Sequence, residues 1–304
     1  MMKIVFFGTP QIAVKTLLAL YAEPEIEVVA VVTQPDKPVG KKKILLDSPV
    51  KKTANELKLK VLQPENKMEL FHELEKFKDI DFYVVLAYGM IFSQDILDLP
   101  KIAPVNIHMS LLPKYRGASP IQSAILDGET QTGVSFMKMD REMDKGDIYL
   151  LKRVLIDEKD GLDSLSEKLS GVSASMVSHV LKDVKNGFLS PIPQNESDAT
   201  YCKKIEKEDG RINFEKSAVE INNMLRAYTP WPGIFFEIDG KKIKIIEMEI
   251  DSEATLKSGE FKIDGKQLKI GTTKGILLPK TLQVEGKNSM AVSEFLNGHG
   301  RLFV

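Results

Sequence analysis

Ile4-Val5-Phe6-Phe7-Gly8-Thr9-Pro10 places an apolar run, a glycine and a Thr-Pro pair in succession near the start of the chain. A continuous apolar run this short, closed by a turn residue, reads as a strand buried on both faces. Proline suits the first position of a helix, and a preceding hydroxyl can cap free backbone N–H groups, so the strand should run directly into a helix. The same alternation continues outward from this stretch. Val28 to Val32, Val61-Leu62, Phe82 to Ala87 and Val105 to Ile107 read as further short strands separated by segments with helical spacing. Ser48-Pro49 and Ser119-Pro120 repeat the helix-start signal. Strands alternating with helices form βαβ units. The expected fold class is therefore α/β: an N-terminal Rossmann-like, mostly parallel sheet with helices on both faces.

A long helix is expected from about Ser164 to Asn186, with Leu165, Leu169, Val172, Met176, Val180 and Val184 on one stripe and Gly187 as its stop. The pattern then changes. Pro191, Pro193, Asn195, Ser197 and Asp198 lie in a polar stretch without periodicity, which reads as an interdomain linker. Beyond it, Ser217-Ala218-Val219-Glu220 is a capping box that opens a short helix ending near Tyr228. Pro230-Trp231-Pro232-Gly233 breaks the chain, and hairpin turns are expected at Asp239-Gly240 and Asp264-Gly265. Several short strands so close together suggest a small C-terminal β-barrel of the OB-like kind. The expected division is a catalytic domain over 1–189, a linker over 190–206 and a β-barrel domain over 207–304.

The chain has 304 residues, 43% hydrophobic and 28% charged, so it holds about two domains and is neither disordered nor collagen-like. Its single cysteine, Cys202, allows no internal disulfide and points to a reducing compartment. No apolar run approaches a membrane span, and the apolar part of the opening segment is too short for a signal peptide, so a cytoplasmic protein is expected. With 42 basic and 43 acidic residues the net charge is −1, which gives no general field for nucleic acid. The exception is local: between Lys37 and Lys60 eight lysines face only Asp47 and Glu56. A solvated loop and helix face is the ordinary meaning of such a run.

The chemistry concentrates elsewhere. Gly8-Thr9-Pro10 lacks the further glycines of a dinucleotide fingerprint, and no Gly-rich loop ends in Lys-Ser or Lys-Thr, so nicotinamide, flavin and ATP reactions lose ground. Asn106 and His108 stand two residues apart at a strand end, so their side chains leave the same face, where open α/β sheets place ligands. Ser110 to Gly117 forms a loop ahead of a capped helix, suited to holding a flat ligand. A second loop, from Met139 to Asp147, offers carboxylates of which one could orient or ionise the imidazole; as a charged hairpin end it needs no function at all. His72, His179 and His299 are scattered without ligand spacing, and no metal is expected.

These residues carry a resemblance. Asn106-x-His108 followed by Ser110-Leu111-Leu112-Pro113, then Arg116-Gly117-Ala118-x-Pro120-Ile121, and Asp144-x-Gly146-Asp147 downstream, resemble the signature of formyltransferases that use 10-formyltetrahydrofolate. Phe7-Gly8-Thr9-Pro10, Thr33-Gln34-Pro35-Asp36-Lys37-Pro38-x-Gly40, Ala87-Tyr88-Gly89 and Pro230-Trp231-Pro232 extend the similarity over nearly the whole chain, toward the members that act on initiator methionyl-tRNA. The resemblance implies Asn106, His108 and Asp144 as a catalytic trio and Ser110, Leu111, Leu112 and Pro113 as part of the folate-binding loop. It also implies that the Thr33 to Lys43 loop, with Lys41, Lys42 and Lys43, meets the tRNA acceptor stem. Met109, Glu142 and Lys41 depart from the family pattern of a small residue, a glycine and an arginine; a lysine keeps charge but not bidentate geometry. A monomer needing no metal is expected. Two other readings stay open: a related folate enzyme acting on a nucleotide sugar or purine precursor, and a non-catalytic tRNA-binding protein on the same fold.

Overall fold

Four parallel pairings set the sheet that carries the site. Strand β1 (Met2–Gly8) lies between β2 (Ile26–Val32) and, on its other side, β6 (Phe82–Leu86). Beyond β2 comes β5 (Val61–Leu62), and beyond β6 comes β7 (Ala103–His108). A hairpin of β9 (Gln131–Lys138) and β10 (Ile148–Leu155) then adds antiparallel to β7, giving the order β10-β9-β7-β6-β1-β2-β5. The chain leaves β1 for one side of the sheet and later returns to the other. Strand order therefore reverses at β1, the place where open α/β sheets form a crevice at their carboxyl ends. The computed structural model describes residues 1–36, 38–39 and 44–303.

Burial on both faces explains the uninterrupted apolar runs. Val5, Phe7, Ala30, Val32, Tyr83 and Val85 project to one side and pack with Leu70, Leu74, Phe92 and Ile96. Ile4, Phe6, Phe82 and Val84, the alternate residues, are equally buried. Each such side chain contributes about 1.5–3 kcal/mol by leaving water. Phe7 meets Tyr83, Tyr88 and Phe92 edge-on, with ring centroids 5.2, 5.5 and 5.0 Å away. Helices α1 (Val14–Ala22), α2 (Pro49–Glu56), α3 (Lys67–Leu74) and α4 (Gln94–Leu97) fill the crossovers. The Ser-Pro reading holds for α2, where the Ser48 hydroxyl accepts from Lys51 N–H at 3.2 Å. It fails at Thr9. A 3-10 turn over Gln11–Ala13 precedes α1, and the Thr9 hydroxyl instead accepts from Gln34 N–H at 3.2 Å, tying the ends of β1 and β2 together.

A short antiparallel pair, β3 (Pro38–Val39) and β4 (Ile44–Leu45), follows β2. The expected tRNA-contact lysines Lys41, Lys42 and Lys43 lie outside the described residues. Helix α5 (Pro120–Leu126) begins at the expected proline, and α6 (Leu162–Lys185) ends just before Gly187, which has φ 77°. On α6 the buried stripe comprises Leu165, Leu169, Val177, Val180 and Leu181, joined by Ser170 and Ser173. The serines are buried because they are bonded: Ser173 Oγ lies 2.7 Å from Thr16 Oγ1, and Ser170 Oγ donates to Ile12 O at 2.9 Å. Val172, Met176 and Val184 are half-buried beside that stripe.

The chain divides into two compact units: Met1–Pro120, Gln131–Leu155 and Ser166–Cys202 in the first, and Ile121–Thr130, Ile156–Leu165 and Lys203–Val304 in the second. Within the first, Tyr201–Cys202 forms strand β11, parallel to β8 (Arg116–Gly117). The second contains α7 (Ala218–Tyr228), opened by the expected Ser217–Glu220 capping box. Its strands are β12 (Ile234–Ile238), β13 (Lys241–Asp251), β14 (Phe261–Asp264), β15 (Gln267–Gly271), β16 (Ile276–Val284) and β17 (Met290–Ala291), followed by α8 (Val292–His299). Both hairpins form where expected, with Asp239 and Gly240 at φ 48° and 70°. The order is β12-β13-β16-β15-β14, with β17 paired to β16. Among the described residues no ladder closes β14 onto β12, so the strands make an antiparallel sheet and not the closed barrel the sequence suggested.

Candidate active site

Strand β7 delivers the first two site residues. Its register against β9 pairs Asn106 with Met137 and His108 with Ser135, which places both residues near the carboxyl end of the parallel strands. Ile107, between them, is buried at the opposite face of the sheet, as two-residue alternation requires. Asn106 is half-buried, and its Nδ2 donates to Asp144 Oδ1 at 3.3 Å. His108 is almost enclosed. Its Nε2 lies 2.9 Å from Tyr115 O, and its Nδ1 lies 3.5 Å from the same Asp144 Oδ1. A carbonyl oxygen only accepts, so Nε2 is the nitrogen that donates there, and Nδ1 is the one turned toward the carboxylate.

Asp144 is held at its other oxygen as well, because Gly117 N–H donates to Oδ2 at 2.8 Å. Only 10% of the Asp144 side chain is exposed, against 7% for His108, so the two groups sit away from bulk water. The backbone at Asp144 has φ 55°, an uncommon conformation for a residue with a Cβ. Two glycines make the close approach possible. At Gly146 a Cβ would stand 1.8 Å from Lys138 O, and at Gly117, where φ is 123°, a Cβ would stand 2.1 Å from Cys202 O. The turns carrying Asp144 and Gly117 thus press against neighbouring backbone with no side chain between.

The four residues implied to bind folate divide in two. Ser110 and Leu112 are buried, whereas Leu111 and Pro113 are half-buried. The Ser110 hydroxyl donates to Lys114 O at 2.6 Å, Ser135 Oγ donates to Ser110 O at 2.5 Å, and Leu112 N–H donates to Ser135 Oγ at 3.0 Å. Ser110 and Leu112 therefore shape the loop, leaving Leu111 and Pro113 as its accessible apolar surface. Among the described residues no group of three or more His, Cys, Asp or Glu is placed to hold a metal ion.

One part of the site escaped the sequence reading. Arg116 is 1% exposed, and its guanidinium makes a two-pronged pair with Glu196: Nη1 to Oε2 at 2.9 Å and Nη2 to Oε1 at 2.8 Å. The hydrogen bonds to Glu196 push the guanidinium further toward its charged form, and Arg116 holds the Glu196 carboxyl below its usual range. Arg116 also donates from Nε and Nη2 to Gln194 Oε1, at 3.1 and 2.8 Å. Gln194 in turn donates from Nε2 to Asp144 O at 2.8 Å and to Gly146 O at 2.7 Å. Both Gln194 and Glu196 fall in the polar stretch read as linker. The available signal was Arg116 itself, a charge beside a buried apolar loop that needs a partner somewhere.

Asn106, His108 and Asp144 thus meet at the strand ends of an α/β sheet, beside the loop that starts at Ser110. Residues 2–181 match the formyl transferase family and residues 204–300 match the formyl transferase C-terminal domain. The chain belongs to the formyl transferase family. It is 41% identical over 304 residues to a methionyl-tRNA formyltransferase of Caldicellulosiruptor saccharolyticus, covering 98% of this chain and 97% of that one. It is 40% identical over 306 residues to the methionyl-tRNA formyltransferase of Lachnospira eligens, with the same coverage of 98% and 97%. Its place within the family is thus among the methionyl-tRNA formyltransferases. The fold is shared with an N-formyltransferase from Helicobacter canadensis solved with folinic acid and dTDP-3-aminofucose: TM-score 0.69 at 21% identity, over 92% of this chain and 99% of that one.

Proposed function

We propose that this chain transfers the formyl group of 10-formyltetrahydrofolate to the α-amine of methionine on initiator methionyl-tRNA, with Asn106, His108 and Asp144 as its catalytic residues. The observation that carries this reading is the convergence of Asn106 Nδ2 and His108 Nδ1 on a single oxygen of Asp144, at 3.3 and 3.5 Å. An amide donor beside an imidazole nitrogen that donates once the ring is protonated is what a developing oxyanion needs, and such stabilisation is usually the largest single catalytic contribution. When the neutral amine attacks the formyl carbon, a C–N bond forms and the carbonyl electron pair moves onto oxygen, facing the Asn106 amide and a protonated His108. Asp144 takes the proton leaving the amine, directly or through one water. The oxygen's electron pair then re-forms the carbonyl as the bond from carbon to N10 breaks; that bond's pair stays on N10, and His108 supplies the proton N10 requires. Proton return from Asp144 Oδ1 to His108 Nδ1 resets the pair.

Leu111 and Pro113 supply the apolar surface against which the folate lies, with Ser110 and Leu112 holding the loop. Lys41, Lys42 and Lys43 meet tRNA phosphates as point charges. The catalytic part lies in the first compact unit, which takes in Gln194 and Glu196, and the antiparallel sheet of the second unit grips the RNA, in a cytoplasmic monomer that needs no metal. No single feature favours a sugar or purine acceptor. The test offers purified protein 10-formyltetrahydrofolate with charged initiator tRNA in one reaction and with an amino-sugar nucleotide or a purine precursor in others. Formyl-methionyl-tRNA is the expected product. Transfer to a small amine alone, or tRNA binding without transfer, overturns the proposal.

A further inference from the structure

We infer that Gln194 is a positioning residue for the reaction, setting Asp144 through the backbone of its turn while Arg116 and Glu196 set Gln194. The inference rests on the catalytic reading of Asp144. An amide side chain can ordinarily be turned either way, but here its neighbours leave one choice. Arginine has no acceptor, so Gln194 Oε1 must face Arg116, and Nε2 must face the carbonyls of Asp144 and Gly146, which have no donor to offer. Both Nε2 hydrogens are then used on two carbonyls two residues apart, and that pair of bonds spans the turn in which Asp144 holds φ 55°.

Each end of Asp144 is consequently fixed by a different part of the same structure. Gln194 holds the main chain, and Gly117 N–H holds Oδ2. Gly117 sits on β8, whose neighbour β11 comes from the stretch just after Gln194, with Arg116 N–H donating to Thr200 O at 2.9 Å and Ala118 N–H donating to Cys202 O at 3.2 Å. Arg116 cannot swing away without stripping its paired bonds to Glu196, and its planar fork gives it one orientation in which all these partners are met. Asp144 Oδ1 is thereby kept between Asn106 and His108, within the narrow range that proton transfer and oxyanion alignment tolerate.

The experiment uses the full chain with Gln194→Glu. That variant keeps an acceptor for Arg116 but turns an oxygen toward the two carbonyls, so the turn loses its support and gains a repulsion. Three readouts are taken: kcat and KM for each substrate, thermal midpoint, and hydrogen exchange of individual amides. The expected result is a kcat lower by about 10²-fold with both KM values and the midpoint close to wild type. Exchange at Gly117 N–H, which is protected by Asp144 Oδ2, should rise by roughly ten-fold while amides of β7 and β9 keep their rates. Gln194→Ala, which lacks the repulsion, should move the same readouts in the same direction. Wild-type kcat, or a lost kcat with unchanged Gly117 exchange, overturns the inference. So does exchange that rises evenly through β7 and β9, because that is general loosening. If the wild-type chain fails to formylate methionyl-tRNA, the proposed function falls, and the Gly117 exchange still decides whether Gln194 positions Asp144.

Discussion

Replacing Asp144 by Asn preserves the side chain's shape and removes its charge and its capacity to take a proton. The carboxylate accepts from Gly117 N–H at 2.8 Å and Asn106 Nδ2 at 3.3 Å, and His108 Nδ1 lies 3.5 Å away. An Asn has one acceptor oxygen, and the shortest of these contacts will claim it. The new NH₂ group then opposes the Asn106 amide, donor against donor. Losing a hydrogen bond to a charged group in a site only 10% exposed costs about 1.5–3 kcal/mol, or roughly 10- to 150-fold in rate. Loss of a general base by itself is worth about 10²–10⁴-fold. Because the two effects act through one group they do not multiply, so the larger sets the expectation: kcat for Asp144→Asn should fall about 10²–10⁴-fold. The assay is formyl transfer to charged initiator tRNA at saturating folate, with KM and the thermal midpoint measured alongside. The midpoint should fall by only a few degrees, since the Asn106 contact is lost but the Gly117 bond survives. An Asp144→Asn protein with wild-type kcat would refute the catalytic assignment and the proton route through Asp144 together.

Asn106→Ala and His108→Ala should each lower kcat by about 10²–10³-fold, the usual effect of removing one oxyanion donor, with folding retained by circular dichroism; wild-type turnover in either removes that residue from the site. Gly117→Ala must place a Cβ 2.1 Å from Cys202 O at φ 123°, so a stability loss of about 1–3 kcal/mol or more is expected in denaturant titration, and an unchanged midpoint contradicts the close approach. Asp36 pairs with Lys51 and accepts from Gln63 Nε2 at 2.9 Å; the Lys51 bond, then Gln63, holds its carboxyl below its ordinary value of 3.8, while the Asp36 bond raises Lys51. A lowered carboxylate stabilises the fold above its unfolded value and loses that contribution as pH falls through the folded one. The raised lysine contributes below its ordinary value and loses this as pH rises through the folded one. Asp36→Asn should therefore cost less than about 1 kcal/mol near neutrality, and its difference from wild type should vanish on acidification below the ordinary carboxylate range. A difference that persists there rules out the ion pair as its source.

The elements that local chemistry controls were legible in the residues themselves. Ile4 to Phe7 and Phe82 to Leu86 are apolar on both faces because helices cover both sides of a parallel strand, and that requirement is written in consecutive positions. Ser48-Pro49, Ser217–Glu220 and Asp239-Gly240 act within a few residues of backbone, so their outcomes needed no distant partner. Two-residue alternation likewise put Asn106 and His108 on one face. The resemblance then brought in Asp144, which lies 38 residues from Asn106 in the chain and touches it only because β9 pairs with β7. Three things depended on contacts between remote segments. Thr9 bonds across to Gln34 instead of capping its own helix; β14 and β12 remain unpaired among the described residues; and Gln194 and Glu196, in a stretch with no periodicity, reach back to Arg116 and the Asp144 turn. A hydrogen-bonding side chain has no period, so a sequence shows that Arg116 needs partners but not which oxygens supply them. Only folding, which brings residues about 80 positions apart within 3 Å, makes that choice.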